Sequence, residues 1–143
     1  MIPRTVLIAC GAFGELSAAR VGSAIARGLA ASGVEGDLYA IAPAPGGGPG
    51  ARGELAAVSF DARMRAARAV VLAQWQLGES TLAASPAFEI ATRARQAGVP
   101  AYAVTAEDGL SLFDARILDL QLIIEASGAR ALAAAGRRLG TVV

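Results

Sequence analysis

The sequence predicts an α/β fold: a single three-layer domain over residues 1–143, with a mainly parallel, Rossmann-like sheet of about five strands and helices on both faces. Three observations predict it. Apolar runs of five or six residues alternate with stretches of helical periodicity, the pattern of successive βα units. Those runs are continuously apolar instead of alternating, as expected of strands covered on both faces. A chain of 143 residues also suits one hydrophobic core, and it shows no internal repeat.

Taken in order, Thr5–Cys10 is the first strand, and a helix follows from about Ser17. Its seam is Val21, Ile25 and Leu29, spaced i, i+4 and i+8, with Gly33 as the closing cap. The second strand is placed at Asp37–Ala42. Pro43–Gly50 can hold neither a helix nor a central strand, because proline lacks a donor and glycine lacks a packing side chain, so it reads as a long loop. A short helix spans Phe60–Ala67, a third strand Ala69–Ala73, and a helix Pro86–Ala97, stopped by Gly98-Val99-Pro100. The fourth strand is Ala101–Thr105. A short helix at Leu112–Leu118 leads to the fifth strand, Leu120–Glu125, and Ser127 or Gly128 opens a last alanine-rich helix that reaches about Leu139.

Composition excludes several kinds of chemistry. All 13 basic residues are arginine, and the chain has neither lysine nor histidine. No Schiff base, phosphate-loop lysine, imidazole proton shuttle or Ser-His-Asp triad can form. With one cysteine and no imidazole, only carboxylates remain as ordinary metal ligands, so no metal site is assigned. Net charge is +1 and the 13 basic and 12 acidic residues are dispersed, which is not the pattern of a nucleic-acid binder. The apolar runs are too short to cross a bilayer. A lone cysteine, Cys10, at the end of an apolar run fits a buried thiol in a reducing cytoplasm.

Ligands of open α/β sheets gather at the carboxyl ends of the strands, which directs attention to the loops there. Gly11, Ala12, Phe13, Gly14 and Ser17 belong to the first strand-to-helix loop. Its backbone N–H groups could cradle a small anionic ligand, or the loop could be a tight turn with Ser17 as helix cap. Gln74, Trp75 and Gln76 open the loop after the third strand. Trp75, the single tryptophan, is suited to stacking on a planar ring or to anchoring an interface. Glu107 and Asp108 follow the fourth strand, where adjacent carboxylates could hold a divalent ion or simply suit the approach to a helix N-terminus. No catalytic residue is assigned.

Some framework stretches resemble bacterial glycerate kinases. Val6–Phe13 with Glu15-Leu16-Ser17-Ala18 and Ala26-Arg27-Gly28-Leu29 is similar to that family's opening strand, loop and helix. Ala69–Leu72, Leu77, Leu82-Ala83, Ile90-Ala91 and Gly98-Val99-Pro100 are similar to a later segment, and Pro43–Gly50 stands where the family carries an acidic glycine-rich run. The resemblance implies the discontinuous Rossmann-like lobe of such a kinase, with the second lobe reduced to about Gly50–Arg65. Gly11 and Ala12 replace an Asp-Ser pair, Gln74 a glutamate, Gly78 an aspartate, Ser85 a lysine, and Pro45 and Gly48 acids. Such losses remove the electrostatic stabilisation on which phosphoryl transfer depends. The resemblance therefore implies a glycerate-kinase-like protein without kinase activity or a confident cofactor, binding a small ligand or protein partner at the strand ends. One alternative is a phosphotransferase using ATP and Mg²⁺, completed by another chain. A second is a homo-oligomeric interaction domain.

Overall fold

The computed structural model describes residues 3–41, 60–78 and 86–143. The elements are β1 (Thr5–Cys10), α1 (Ala18–Ala30), β2 (Glu35–Ala40), α2 (Phe60–Arg65), β3 (Ala69–Leu77), α3 (Pro86–Ala97), β4 (Ala101–Asp108), α4 (Leu112–Leu118), β5 (Leu120–Glu125) and α5 (Ala129–Gly140). The five strands form one sheet in the order β2-β1-β3-β4-β5, and every pairing is parallel. The expected three-layer α/β architecture is present. The expected loop Pro43–Gly50 lies outside the described residues.

Side-chain alternation along β1 divides the core. Val6, Ile8 and Cys10 join Val21, Ile25 and Leu29 of α1 and Leu132 and Leu139 of α5 on one face. Leu7 and Ala9 join Phe60 and Met64 of α2, Ile90 and Ala94 of α3, and Leu118 of α4 on the other. Strands buried on both faces need continuous apolar runs, and Val6–Cys10 are all fully buried. The chain leaves β1 toward β2 and then returns past β1 to β3, so the strand order reverses between β1 and β3. At that reversal the two crossovers lie on opposite faces and leave a crevice at the carboxyl ends.

The helix boundaries have local causes. Ser17 caps α1 by accepting the Arg20 N–H at 3.3 Å, as expected. Beyond α1, Gly33 takes φ +73°, which lets the Val34 N–H turn back to the Leu29 carbonyl. Gly128, with φ +85°, precedes α5. Helices α1 and α5 touch backbone to backbone: Gly28 faces the Ala133 carbonyl and Gly136 faces the Ile25 carbonyl.

Three strand boundaries differ from expectation. β2 begins at Glu35 and ends at Ala40, not Asp37–Ala42. The Glu35 N–H bonds to the Arg4 carbonyl, and Gly36 pairs with Val6 in the ladder, at a point where a Cβ would lie 2.7 Å from that of Ala26. β3 runs on to Leu77 and β4 to Asp108, because the two continue to pair in register through Gln74↔Thr105, Gln76↔Glu107 and Leu77↔Asp108. Polar side chains end the buried face but not the backbone pairing. Gln74, Trp75 and Gln76 are therefore strand residues, and so are Glu107 and Asp108.

Candidate functional site

The first strand-to-helix connection closes on itself. Phe13 and Leu16 each donate an N–H to the other's carbonyl at 2.9 Å, making a tight turn whose Gly14 sits at φ +56°. The Gly11 N–H is taken by the Ala73 carbonyl at 2.9 Å, which ties the loop to β3. Phe13 is buried beneath the turn, and the Trp75 ring meets it edge to face at a centroid separation of 5.8 Å and 84°. A Cβ on Gly14 would come within 3.7 Å of the indole. Trp75 is thus seated over the turn while 39% of it remains exposed.

Gln74 lies one residue earlier on β3, directed to the opposite sheet face from Trp75 by the strand's period of two. Its amide stands near Gly11: a Cβ there would be 3.7 Å from Gln74 Nε2. That nitrogen is buried and has no hydrogen-bond partner among the described residues. A buried donor left unpaired costs about 1–3 kcal/mol, so its presence at the mouth of a crevice calls for a cause.

Further along the carboxyl edge, Gln76, Leu77, Gly78, Glu107, Asp108 and Glu125 line an open depression of about 430 Å³. Gln76 Nε2 donates to Glu107 Oε2 at 2.8 Å, and the Asp108 N–H donates to Glu125 Oε2 at 3.1 Å. The Gly109 N–H closes the rim on the Leu77 carbonyl at 2.7 Å. Among the described residues no group of three or more carboxylate or thiol ligands could hold a metal ion.

Of the residues singled out in the sequence, Gly11, Phe13, Gly14, Gln74 and Trp75 come together at the β1/β3 reversal. Ala12 is exposed on the same loop. Ser17 is engaged by its own helix, and Gln76 belongs to the acidic depression. Sequence reasoning missed Glu125 and Thr105. Thr105 is fully buried, and its hydroxyl lies between β3 and β4, but in Ala101–Ala106 a threonine reads only as a β-branched strand former.

A parallel sheet of order 2-1-3-4-5 with helices on both faces defines a flavodoxin-like α/β domain. Among solved structures, the chain is similar to a diflavin flavoprotein A3 from Nostoc sp., with a TM-score of 0.54 and 14% identity over 99% of this chain and 93% of that one. No protein-family model matches the chain, and no curated protein is significantly similar to it.

That neighbour corrects the resemblance to glycerate kinases, which no family or curated match supports. The stretches that carried it, an apolar strand, a glycine loop and a small-residue helix start, are what any buried parallel strand feeding a helix requires. They mark the fold, not the family. The glycerate-kinase-like function falls with it, as do the second-chain phosphotransferase and the ATP and Mg²⁺ it would need. Among the described residues, no helix is long and apolar enough to cross a membrane.

Proposed function

We propose that this chain binds a flavin-type ligand across the carboxyl ends of β1 and β3. The observation that carries the reading is the orphaned Gln74 Nε2, a buried donor held at the crevice with nothing to donate to among the described residues. A flavin ring is planar and edged with carbonyl and imine acceptors, and such an acceptor would satisfy the amide. From the other face of β3, Trp75 offers an apolar ring over the β1–α1 turn, supported by Phe13. In sheets of this strand order ligands gather at the β1/β3 reversal, which is where flavodoxin holds flavin mononucleotide, and the similar Nostoc protein is named a diflavin flavoprotein. This reading replaces the expectation of no cofactor.

The residues present fit a planar ring, and part of the β1–α1 backbone is left for a phosphate. The Phe13 and Leu16 N–H groups are spent on each other, the Gly11 N–H on Ala73, and the Ser17 hydroxyl on Arg20. The N–H groups of Ala12, Gly14, Glu15 and Ser17 in the loop and of Ala18 and Ala19 at the start of α1 remain for a phosphate, with the Arg20 side chain on the same turn. The isoalloxazine ring system would supply redox chemistry when bound; the chain's own residues bind and orient it.

Titration of the purified chain with riboflavin and with flavin mononucleotide, followed through Trp75 emission, tests the reading. Saturable quenching by either is expected, and its absence up to millimolar flavin rejects the proposal. Gln74→Leu separates a ligand donor from a structural amide. It should weaken binding about fivefold while leaving the ligand-free chain as stable or more so, because an unpaired buried donor has been removed. A variant that loses stability and keeps its flavin affinity would show that Gln74 serves the fold. Trp75→Ala should weaken binding by about three- to tenfold.

A further inference from the structure

Thr105 is the one fully buried polar residue among the described residues, and its hydroxyl reaches from β4 to the backbone of β3. It accepts the Glu107 N–H at 3.3 Å and lies 3.1 Å from the Trp75 carbonyl and 3.2 Å from the Glu107 carbonyl. A hydroxyl has one proton to donate, and only the Trp75 carbonyl belongs to the other strand. The Thr105 carbonyl also accepts the Ala126 N–H at 2.8 Å, so this residue joins the ends of β3, β4 and β5 at one level. The hydroxyl that makes the bond is itself fully buried, while the Trp75 end is partly exposed.

We infer that Thr105 is the positioning residue of this site, fixing the Trp75 backbone so that the indole stands over Gly14 and Phe13 at the mouth of the β1/β3 crevice. Trp75 needs such a restraint. It lies where β3 leaves the core, the residue is 39% exposed, and its aromatic support among the described residues is the edge contact with Phe13. Strand ends with few buried contacts open most readily, and a side chain that moves with a fraying end makes a poor platform for a planar ligand. The functional meaning of the inference rests on the flavin reading, whereas the restraint itself acts in the ligand-free chain.

The single tryptophan makes the test direct. Thr105→Val keeps the branched shape and removes the hydroxyl; Thr105→Ser keeps the hydroxyl and removes the methyl. In the ligand-free protein the valine variant should raise acrylamide quenching of Trp75 and lower its fluorescence anisotropy, and its flavin affinity should fall about fivefold, the scale of one hydrogen bond. The serine variant should restore both signals even where its melting temperature stays low. Should the valine variant not fold, Thr105→Ala is read in the same way. Unchanged quenching and anisotropy in a valine or alanine variant that merely melts earlier would overturn the inference and leave the flavin reading standing. Wild-type protein that binds no flavin, with Trp75 still loosened by Thr105→Val, would overturn the flavin reading and leave the restraint in place.

Discussion

Cys10 shows how burial alone gives a residue a measurable signature. Its thiol is fully enclosed at the end of β1, with the Tyr39 carbonyl at 3.6 Å, and burial pushes its pKa from 9.0 to about 11 against the smaller opposing effect of backbone hydrogen bonds. Above pH 9 the thiol of an unfolded chain ionises while that of the folded chain keeps its proton. The stabilisation is therefore complete below pH 9 and is lost as the pH climbs toward 11. Denaturant midpoints measured from pH 8 to 11 should fall more steeply for the wild type than for Cys10→Ala, and parallel curves would contradict the buried thiol. At this scale the sequence was informative about residue type and poor on neighbours. Trp75, Gly14 and Gln74 stood out because tryptophan, glycine and amides at strand ends are conspicuous. Thr105 did not, because its hydroxyl matters only through a carbonyl 30 residues away.

Helices α1 and α5 depend on the absence of two side chains. An alanine at Gly28 would drive its Cβ into the Ala133 carbonyl and to 2.6 Å from the Arg137 nitrogen, and one at Gly136 would meet the Ile25 carbonyl. Helix propensity alone predicts that Gly→Ala stabilises by up to about 1 kcal/mol, whereas forcing two packed backbones apart costs about 1–3 kcal/mol or more. Packing should prevail, and thermal melts of Gly28→Ala and Gly136→Ala should shift downward; an upward shift would mean the helices are not in contact. A second element-scale prediction concerns α2, which is clipped to the edge strand β2. Arg63 reaches Asp37 through two hydrogen bonds, at 2.6 and 3.0 Å, and the Leu38 carbonyl at 2.8 Å, with its guanidinium 5.3 Å from the Tyr39 ring centroid. Both side chains are about a third exposed, which screens the pair, so Arg63→Ala should cost only about 1 kcal/mol in urea denaturation. Arg63→Lys should not recover it, since an ammonium cannot reproduce the planar fork. The elements themselves were legible because apolar runs and 3.6-residue periodicity report burial. The ends of β3 and β4 were not, because backbone pairing outlasted the apolar side chains at Gln74–Leu77 and Ala106–Asp108.

Across the whole molecule, periodicity identified five strands but not their neighbours. The order β2-β1-β3-β4-β5 arises from where each crossover lands, and right-handed crossovers alone permit other orders. That is also why the likeness to glycerate kinases misled: Val6–Cys10 and Ala69–Leu72 are buried parallel strands, and every family built on such strands shares their pattern. The reversal at β1/β3 has a thermodynamic consequence for the entire chain. A ligand that seats on two central strands binds only when the sheet is assembled, so its binding free energy adds to global stability by mass action. At flavin concentrations 100-fold above the dissociation constant the gain is about 2.7 kcal/mol, which for a chain of this size raises the melting temperature by about 5–10 °C. Far-UV circular dichroism melts should show that shift with riboflavin or flavin mononucleotide in the wild type and a smaller one at the same flavin concentration in Gln74→Leu. A melting temperature indifferent to saturating flavin would mean that flavin does not bind the folded chain in preference to the unfolded one, and would reject the site at β1 and β3.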